Sequence, residues 1–280
     1  MKLGVESFTI IDDITKDLEG TLAKLQDLGF RYIEWLNRNS STVIGAGFGL
    51  PPQETLKIFG KYGIKIVGSI ASDGPNWKTF YFETDKVKRV IDWYQEAGCS
   101  TFGTAIDFFA DMDFLKRRIE AYNKIGQICK DAGMSFMYHN HSHEWAEIEG
   151  KPIFDRIVEE TDPDLVGFDL DTYWAYRGMQ DPAELIRKLG SRVKSIHVKD
   201  FPAGREAFRN LNGDLGKAVP EDFTECGKGV INWQEIVDAC NETGVPYMFV
   251  EQDHTSLASK YETLRDSKAY METLKGVSVD

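Results

Sequence analysis

Residues 113–144 read DFLKRRIEAYNKIGQICKDAGMSFMYHNHSHE, and they hold one complete unit of the architecture. An amphipathic helical stretch runs from Asp113 to Ala132 and stops at Gly133, where glycine takes the left-handed conformation that ends a helix. A short β-prone run from Ser135 to Asn140 follows and breaks off into His139, Asn140, His141, His143 and Glu144. Three of the chain's five histidines therefore stand within five residues at the carboxyl end of one expected strand. The other two obey the same rule: His197 closes the run that starts at Val193, and His254 follows the run that starts at Tyr247. Imidazoles and carboxylates gathered at strand ends are the groups that ligate metals and move protons.

The same unit recurs along the chain. Strands are expected at Lys2 to Ser7, Tyr32 to Trp35, Ile64 to Ser69, Thr101 to Ile106, Ser135 to Asn140, Leu165 to Asp171, Val193 to Val198 and Tyr247 to Glu251. Helices are expected at Asp17 to Leu28, Gln53 to Tyr62, Asp85 to Ala97, Asp113 to Ala132, Ile153 to Glu160, Pro182 to Lys188, Asn232 to Thr243 and Ser259 to Leu274. Eight parallel strands, each followed by a helix within about 250 residues, predict a closed (β/α)8 barrel, here one catalytic domain over residues 1–280. An open doubly wound sheet needs a glycine-rich nucleotide loop, and residues 45–49, GAGFG, lack that spacing. They read as a loop over the barrel mouth. The long connection from Phe201 to Val230, leaving the seventh strand, reads as a candidate lid.

Thirty-three Lys and Arg against 45 Asp and Glu give a net charge of −12, which disfavours nucleic acid because phosphate binding needs a basic surface. No apolar window reaches the 18 or so residues of a membrane span, and MKLGVESFTI lacks the apolar core of a secretory signal. The expectation is a cytoplasmic protein without membrane contact. Cys99, Cys129, Cys226 and Cys240 are far apart, with no Cys-x-x-Cys pair, and read as reduced packing thiols. A homo-oligomer and a small partner subunit both stay open.

In a barrel the strand ends converge on one mouth. The fifth strand brings His139 and His141, which share parity, the sixth Asp171, the seventh His197 and the eighth Glu251. Two imidazoles and two carboxylates suit one divalent cation, with Mn²⁺ favoured and Mg²⁺, Co²⁺, Fe²⁺ and Zn²⁺ as alternatives. Such an ion polarises a carbonyl and its neighbouring hydroxyl and acidifies the C–H between them, which leads to an enediolate. Glu251 is the expected base, and His143 or His141 returns the proton or protonates a departing oxygen. Lys199 either brings positive charge to the developing oxyanion or pairs with Asp200. Reprotonation elsewhere gives isomerisation, and loss of a β-substituent gives elimination.

Five segments together carry a family resemblance: YHNHSHEW at 138–145, VGFDLDTYW at 166–174, IHVKD at 196–200, Gly227-Lys-Gly229 before Ile231-Asn-Trp233, and VEQD at 250–253. Over nearly its whole length the chain resembles the sugar phosphate isomerase/epimerase family. These are xylose isomerase-like TIM barrels that include ketose 3-epimerases, hydroxypyruvate isomerase and inosose dehydratase. The resemblance implies a divalent-metal-dependent isomerase or epimerase acting on a small sugar or keto sugar. In the epimerase branch the metal is held by a glutamate, an aspartate, a histidine and a glutamate on strands five to eight. Asp171, His197 and Glu251 match the last three, whereas His139 stands where the first glutamate would be. Those epimerases use two glutamates as opposed acid and base, so the resemblance puts simple 3-epimerisation in doubt. The histidine-rich fifth strand resembles inosose dehydratases, and the alternative is a lyase: an inosose-type dehydratase or a 3-keto-glycoside eliminase (C-deglycosidase).

For the substrate, Trp35, Trp145 and Trp174 read as an aromatic wall, with Trp174 standing where many members have histidine. Glu34 is either a substrate ligand or a buried partner of a basic residue. Arg205 and Arg209 on the long connection either clamp an anionic group or stay solvated. Asp169 is expected to point outward or to stand behind the metal ligands, and His254 to lie outside them. No motif assigns a phosphate.

Overall fold

Alternation decides what each strand shows to the two sides of the sheet. In the computed structural model, which describes residues 1–37, 49–71, 83–205, 219–255 and 257–278, eight strands follow this rule. They are β1 (Lys2–Glu6), β2 (Tyr32–Asn37), β3 (Lys65–Ala71), β4 (Thr101–Thr104), β5 (Ser135–His139), β6 (Val166–Asp171), β7 (Val193–Val198) and β8 (Tyr247–Val250). One parity supplies Val5, Ile33, Trp35, Phe136, Tyr138, Phe168, Leu170, Ile196 and Val198 to the core shared with the surrounding helices. Inside the barrel, Tyr32, Val67 and Phe249 form one cluster and Leu36, Ile70, Ala105 and Met137 another, Val67 falling at the register shift where β3 leaves strict alternation against β2.

All strand pairs of the barrel are parallel, and it closes in the order β1-β8-β7-β6-β5-β4-β3-β2. The connecting helices are α1 (Leu18–Asp27), α2 (Pro52–Lys61), α3 (Thr84–Glu96), α4 (Met112–Asp131), α5 (Ile153–Glu160), α6 (Pro182–Leu189), α7 (Trp233–Thr243) and α8 (Lys260–Met271). Side chains of Asp111, Asn232 and Ser259 cap α4, α7 and α8 by accepting from backbone N–H groups of the first turn. Gly133 and Gly244, with φ of 74° and 78°, end the turns after α4 and α7 as the sequence predicts.

Strand ends move by one or two residues from expectation. β2 and β3 run on to Asn37 and Ala71, because their pairing continues through Leu36↔Ile70 and Asn37↔Ala71. β4 stops at Thr104, short of the expected Ile106. Gly68 on β3 gives Glu34 its room: a Cβ there would lie 2.4 Å from Thr101 Oγ1 and 3.1 Å from Glu34 Oε1. The four cysteines are buried and unpaired. Among the described residues no helix is long and apolar enough to cross a membrane. Residues 45–48, Arg209 and the middle of the connection from Phe201 to Val230 lie outside the described residues.

Candidate active site

The carboxyl ends of β5, β6 and β7 turn His139, Asp169, Asp171 and His197 into the barrel, where all four are buried. His197 is the hub. Its Nδ1 lies 2.8 Å from Glu251 Oε2, and its Nε2 lies 2.6 Å from Glu34 Oε2 and 2.9 Å from Asp169 Oδ2. Asp169 also accepts from Ser195 Oγ at 2.7 Å and faces His139 Nδ1 at 3.0 Å. Parity directs Asp169 inward together with Asp171, beneath the mouth. Glu34 is likewise a buried partner, of an imidazole rather than of a lysine or arginine.

Asp171 divides its oxygens. Oδ1 accepts from Trp174 N at 2.9 Å and caps the short helix Thr172–Arg177, while Oδ2 faces Lys199 Nζ at 3.1 Å. Asn140 fixes the Asp171 backbone on both sides, accepting from its N–H at 3.0 Å and donating to its carbonyl at 3.3 Å. Lys199, 1% exposed, also reaches Glu251 Oε2 at 2.9 Å and Asp253 Oδ1 at 2.7 Å.

Six carboxylates, Glu6, Glu34, Asp169, Asp171, Glu251 and Asp253, crowd this region. Burial, with Asp169 nearby, pushes Glu34 up to about 7. Burial, with Glu251 and Asp171 nearby, pushes Asp253 up to about 7 against the pull of Lys199. Burial also opposes ionisation of Glu251, but Lys199 and His197 outweigh it and hold the carboxyl below its usual range. The acids around Lys199 and His197 outweigh burial and raise both above their usual ranges when no cation is bound. His141 is driven well below the usual imidazole range by burial and by the neighbouring histidines, so it is neutral.

The residues fit a divalent cation. Glu34 Oε1 and Asp171 Oδ2 are buried without a hydrogen bond, and donor atoms of His139, Asp171 and His197 lie within 4.8 Å of one another. Glu34, Asp169 and His197 form a second such group. That set shares His197 with the first and lies away from the cavity lining, whereas the first borders the cavity through His139.

The cavity, of about 270 Å³, has two unlike walls. Phe8, Leu36, Ile70, Ala105 and Ile106, from β1 to β4 and their ends, make an apolar side. His139, His141, Trp174, Lys199, Glu251 and Asp253, from β5 to β8, make the polar side. Trp174 packs on His141 with ring centroids 5.2 Å apart.

Several expected contacts are elsewhere. Trp35 is buried in the core behind the barrel, because its neighbour Glu34 takes the inward direction. Trp145 stacks on Phe154 at 5.0 Å and covers Gly178, away from the cavity lining. Arg205 is exposed and turns to Glu221 O at 3.2 Å and Asp222 Oδ1 at 3.7 Å, so solvation and local pairing win over a substrate clamp. The His143 ring is held off the cavity: Nε2 lies 2.7 Å from Asp107 O, and Phe108 stacks on it at 4.8 Å. His254 packs near Phe223, with centroids 5.5 Å apart. Lys199 does not pair with Asp200, which points away from the barrel. There Asp200 accepts from the N–H groups of Phe201, Gly227, Gly229 and Ile231 and from Trp233 Nε1. Gly229 is required for that knot, since a Cβ would lie 2.2 Å from Asp200 Oδ1.

From the sequence, Asp253 has no role, and Glu144 counts only among the metal- or proton-capable groups at the end of the fifth strand. Glu144 is buried, accepts from Tyr138 Oη at 2.7 Å and from His141 N at 3.1 and 3.0 Å, and so fixes the turn that carries His141. A glutamate three residues after a histidine, at a strand end, was the available signal.

The chain is similar to the inosose dehydratase of Geobacillus kaustophilus (strain HTA426), 25% identical over 290 residues, which cover 94% of this chain and 88% of that protein. It is 30% identical over 156 residues to the inosose dehydratase of Clostridium botulinum (strain Alaska E43 / Type E3), a match spanning 54% of this chain and about half, 51%, of the relative. Among solved structures, a sugar phosphate isomerase/epimerase from Parabacteroides distasonis ATCC 8503 superposes with a TM-score of 0.80 at 23% identity, over 99% of this chain and 95% of that one. The IOLI protein with a binding zinc atom gives 0.70 at 16% identity over 96% of each chain. At those identities the two structures establish the fold. The model of the xylose isomerase-like TIM barrel family matches residues 22–274, and the chain belongs to that family.

Proposed function

We propose that the protein is a divalent-metal-dependent enzyme of the isomerase/epimerase type. Its substrate is a small sugar or keto sugar, from which it removes a carbon-bound proton beside a carbonyl, with the barrel as one catalytic domain. The observation that carries this reading is the polar wall of the cavity, where a carboxylate, a buried ammonium and a neutral imidazole stand beside a donor set suited to a cation.

His139, Asp171, His197 and Glu251 are the residues we assign to the metal, and Mn²⁺ is the ion this mixture of oxygen and nitrogen donors favours. When bound there, a divalent ion would supply Lewis acidity to a substrate carbonyl. Glu251, held below its usual range chiefly by the Lys199 ammonium, takes the proton from carbon. Lys199 offers its positive charge to the oxygen on which the electron pair settles. His141 borders the cavity where His143 does not, and as a neutral imidazole it is placed to receive the proton from Glu251 and relay it. The apolar wall and the Trp174 ring cover the C–H faces of the substrate. Four separate buried thiols suit a reducing, cytoplasmic setting.

A second outcome, elimination, is supported by the likeness to inosose dehydratase over 94% of the chain and by the histidines at the end of β5. The same first step serves it, with the proton that Glu251 took from carbon passing to a departing oxygen, directly or through His141. A panel of inososes, 3-keto glycosides and ketoses followed by NMR in D₂O with added Mn²⁺ tests both. Deuterium entry beside the carbonyl is the expected result for at least one substrate, and no exchange with any of them overturns the proposal.

A further inference from the structure

We propose that Lys199 and Asp253 form a paired counter-charge that sets how tightly Asp171 and Glu251 hold a divalent cation, with Asp253 the positioning residue that draws the ammonium off them. The inference rests on the assignment of Asp171 and Glu251 as metal ligands.

The geometry makes the oxygens scarce. Asp171 Oδ1 is committed to the cap on Trp174 N, so its second oxygen is the one available to a cation, and Lys199 stands 3.1 Å from it. Glu251 Oε2 lies 2.9 Å from Lys199 and 2.8 Å from His197 Nδ1. An ammonium and a dication drawn to the same two oxygens repel each other strongly in a buried setting, where screening is weak. The ammonium has another seat. Asp253 Oδ1 is the nearest of its three acids, at 2.7 Å, and the Trp174 ring centroid is 5.7 Å from Nζ. Of the three acids, Asp253 is the most solvent-exposed, its side chain retaining 16% of its exposure against 0% for Asp171 and 8% for Glu251. Moving the ammonium toward it uncovers the Asp171 and Glu251 oxygens while leaving Lys199 paired.

The test is calorimetric titration of the full chain, stripped with a chelator, with MnCl₂ and separately with ZnCl₂. Four proteins are compared: wild type, Lys199→Met, Asp253→Asn and the double variant. Removing the competing charge is expected to tighten binding about tenfold or more in Lys199→Met, and removing its alternative seat to weaken binding about tenfold in Asp253→Asn. If Asp253 acts through Lys199, Asp253→Asn changes affinity by less than about threefold once Lys199 is gone. Unchanged or weaker binding by Lys199→Met overturns the proposal, and so does an Asp253→Asn effect of equal size in both backgrounds, which would mark Asp253 as simple added charge. Should Lys199→Met fail to fold, Lys199→Gln carries the same expected sign and replaces it in the cycle. A wild type that binds neither ion removes the metal assignment as well, whereas wild-type binding with an unaltered Lys199 variant removes this inference alone.

Discussion

Glu251 and His197 end neighbouring strands and meet at 2.8 Å, Oε2 to Nδ1, with Lys199 2.9 Å away on the same carboxylate oxygen. The contact explains how a buried carboxyl stays ionised and ready to take a proton. Glu251→Gln keeps the size of the side chain and one oxygen but cannot accept a proton from carbon. The variant is expected to fold with an unchanged circular dichroism spectrum and to lose exchange of the substrate's carbon-bound proton by about 10²- to 10⁴-fold. Wild-type exchange rates measured by NMR in D₂O would remove Glu251 as the base.

Asp169 touches no cavity surface, yet it lies within 3.0 Å of both His139 Nδ1 and His197 Nε2. A carboxylate behind two imidazoles orients their rings and raises their basicity. Asp169→Asn is therefore expected to lower affinity for Mn²⁺ about 10- to 100-fold with the fold retained. Calorimetric titration reads the loss, and unchanged affinity would show that Glu34 and Glu251 orient the rings by themselves.

Asp107 gives a pH dependence away from the metal ligands. Burial raises its carboxyl to about 6 from 3.8, against the pull of Arg118 at 2.9 Å and the hydrogen bond from Tyr122. A folded-state value above the unfolded one means that the native form binds the proton more tightly. The stability this adds is present below about pH 4 and is lost as pH rises through about 6, a change of roughly 3 kcal/mol. Urea unfolding of metal-free protein between pH 4 and 7 should show a smaller fall with rising pH in Asp107→Asn than in wild type. Parallel pH profiles would mean that Arg118 cancels the cost of burial.

The barrel was legible because each unit carries its own punctuation: a glycine stop after the helix, then a short apolar run that ends in chemistry. The inward set was legible where parity holds, at His139, Asp171 and His197. Parity also excludes Trp35 once Glu34 faces inward, and it separates Lys199 from Asp200; reading aromatics and charges by position alone missed both consequences. Trp145 depends on Phe154, and the Asp107, Arg118 and Tyr122 network depends on how α4 packs against the end of β4, contacts between segments that no local pattern encodes. Asp253 lies beyond the last pleat of β8, where alternation no longer predicts direction.

The arrangement of the walls predicts the stereochemical outcome. Epimerisation at one carbon needs a proton taken from one face and delivered to the other, so acid and base must stand on opposite sides of the substrate. Among the described residues, Glu251 borders the cavity at the end of β8, and His139 and His141 border it at the end of β5, three strands away in the closed barrel, where an acid opposed to Glu251 would have to stand. His139 cannot serve as that carboxylic acid, since it is an imidazole whose Nδ1 faces Asp169, and His141, held neutral, has no ready proton to give. A proton that Glu251 takes and returns to the same carbon leaves its configuration unchanged; delivered to the neighbouring carbon it moves the carbonyl, and delivered to a departing oxygen it completes an elimination. With fructose or tagatose and Mn²⁺, 3-epimerisation is expected to be at least about 10²-fold slower than proton exchange or elimination on the best substrate of the panel, the contribution typical of one acid–base group. Chromatography of the sugar products together with deuterium content at the reacting carbon measures this. Rapid formation of the 3-epimer with deuterium from solvent would show an acid on the opposite face and sink the single-face mechanism, while leaving Glu251 as its base.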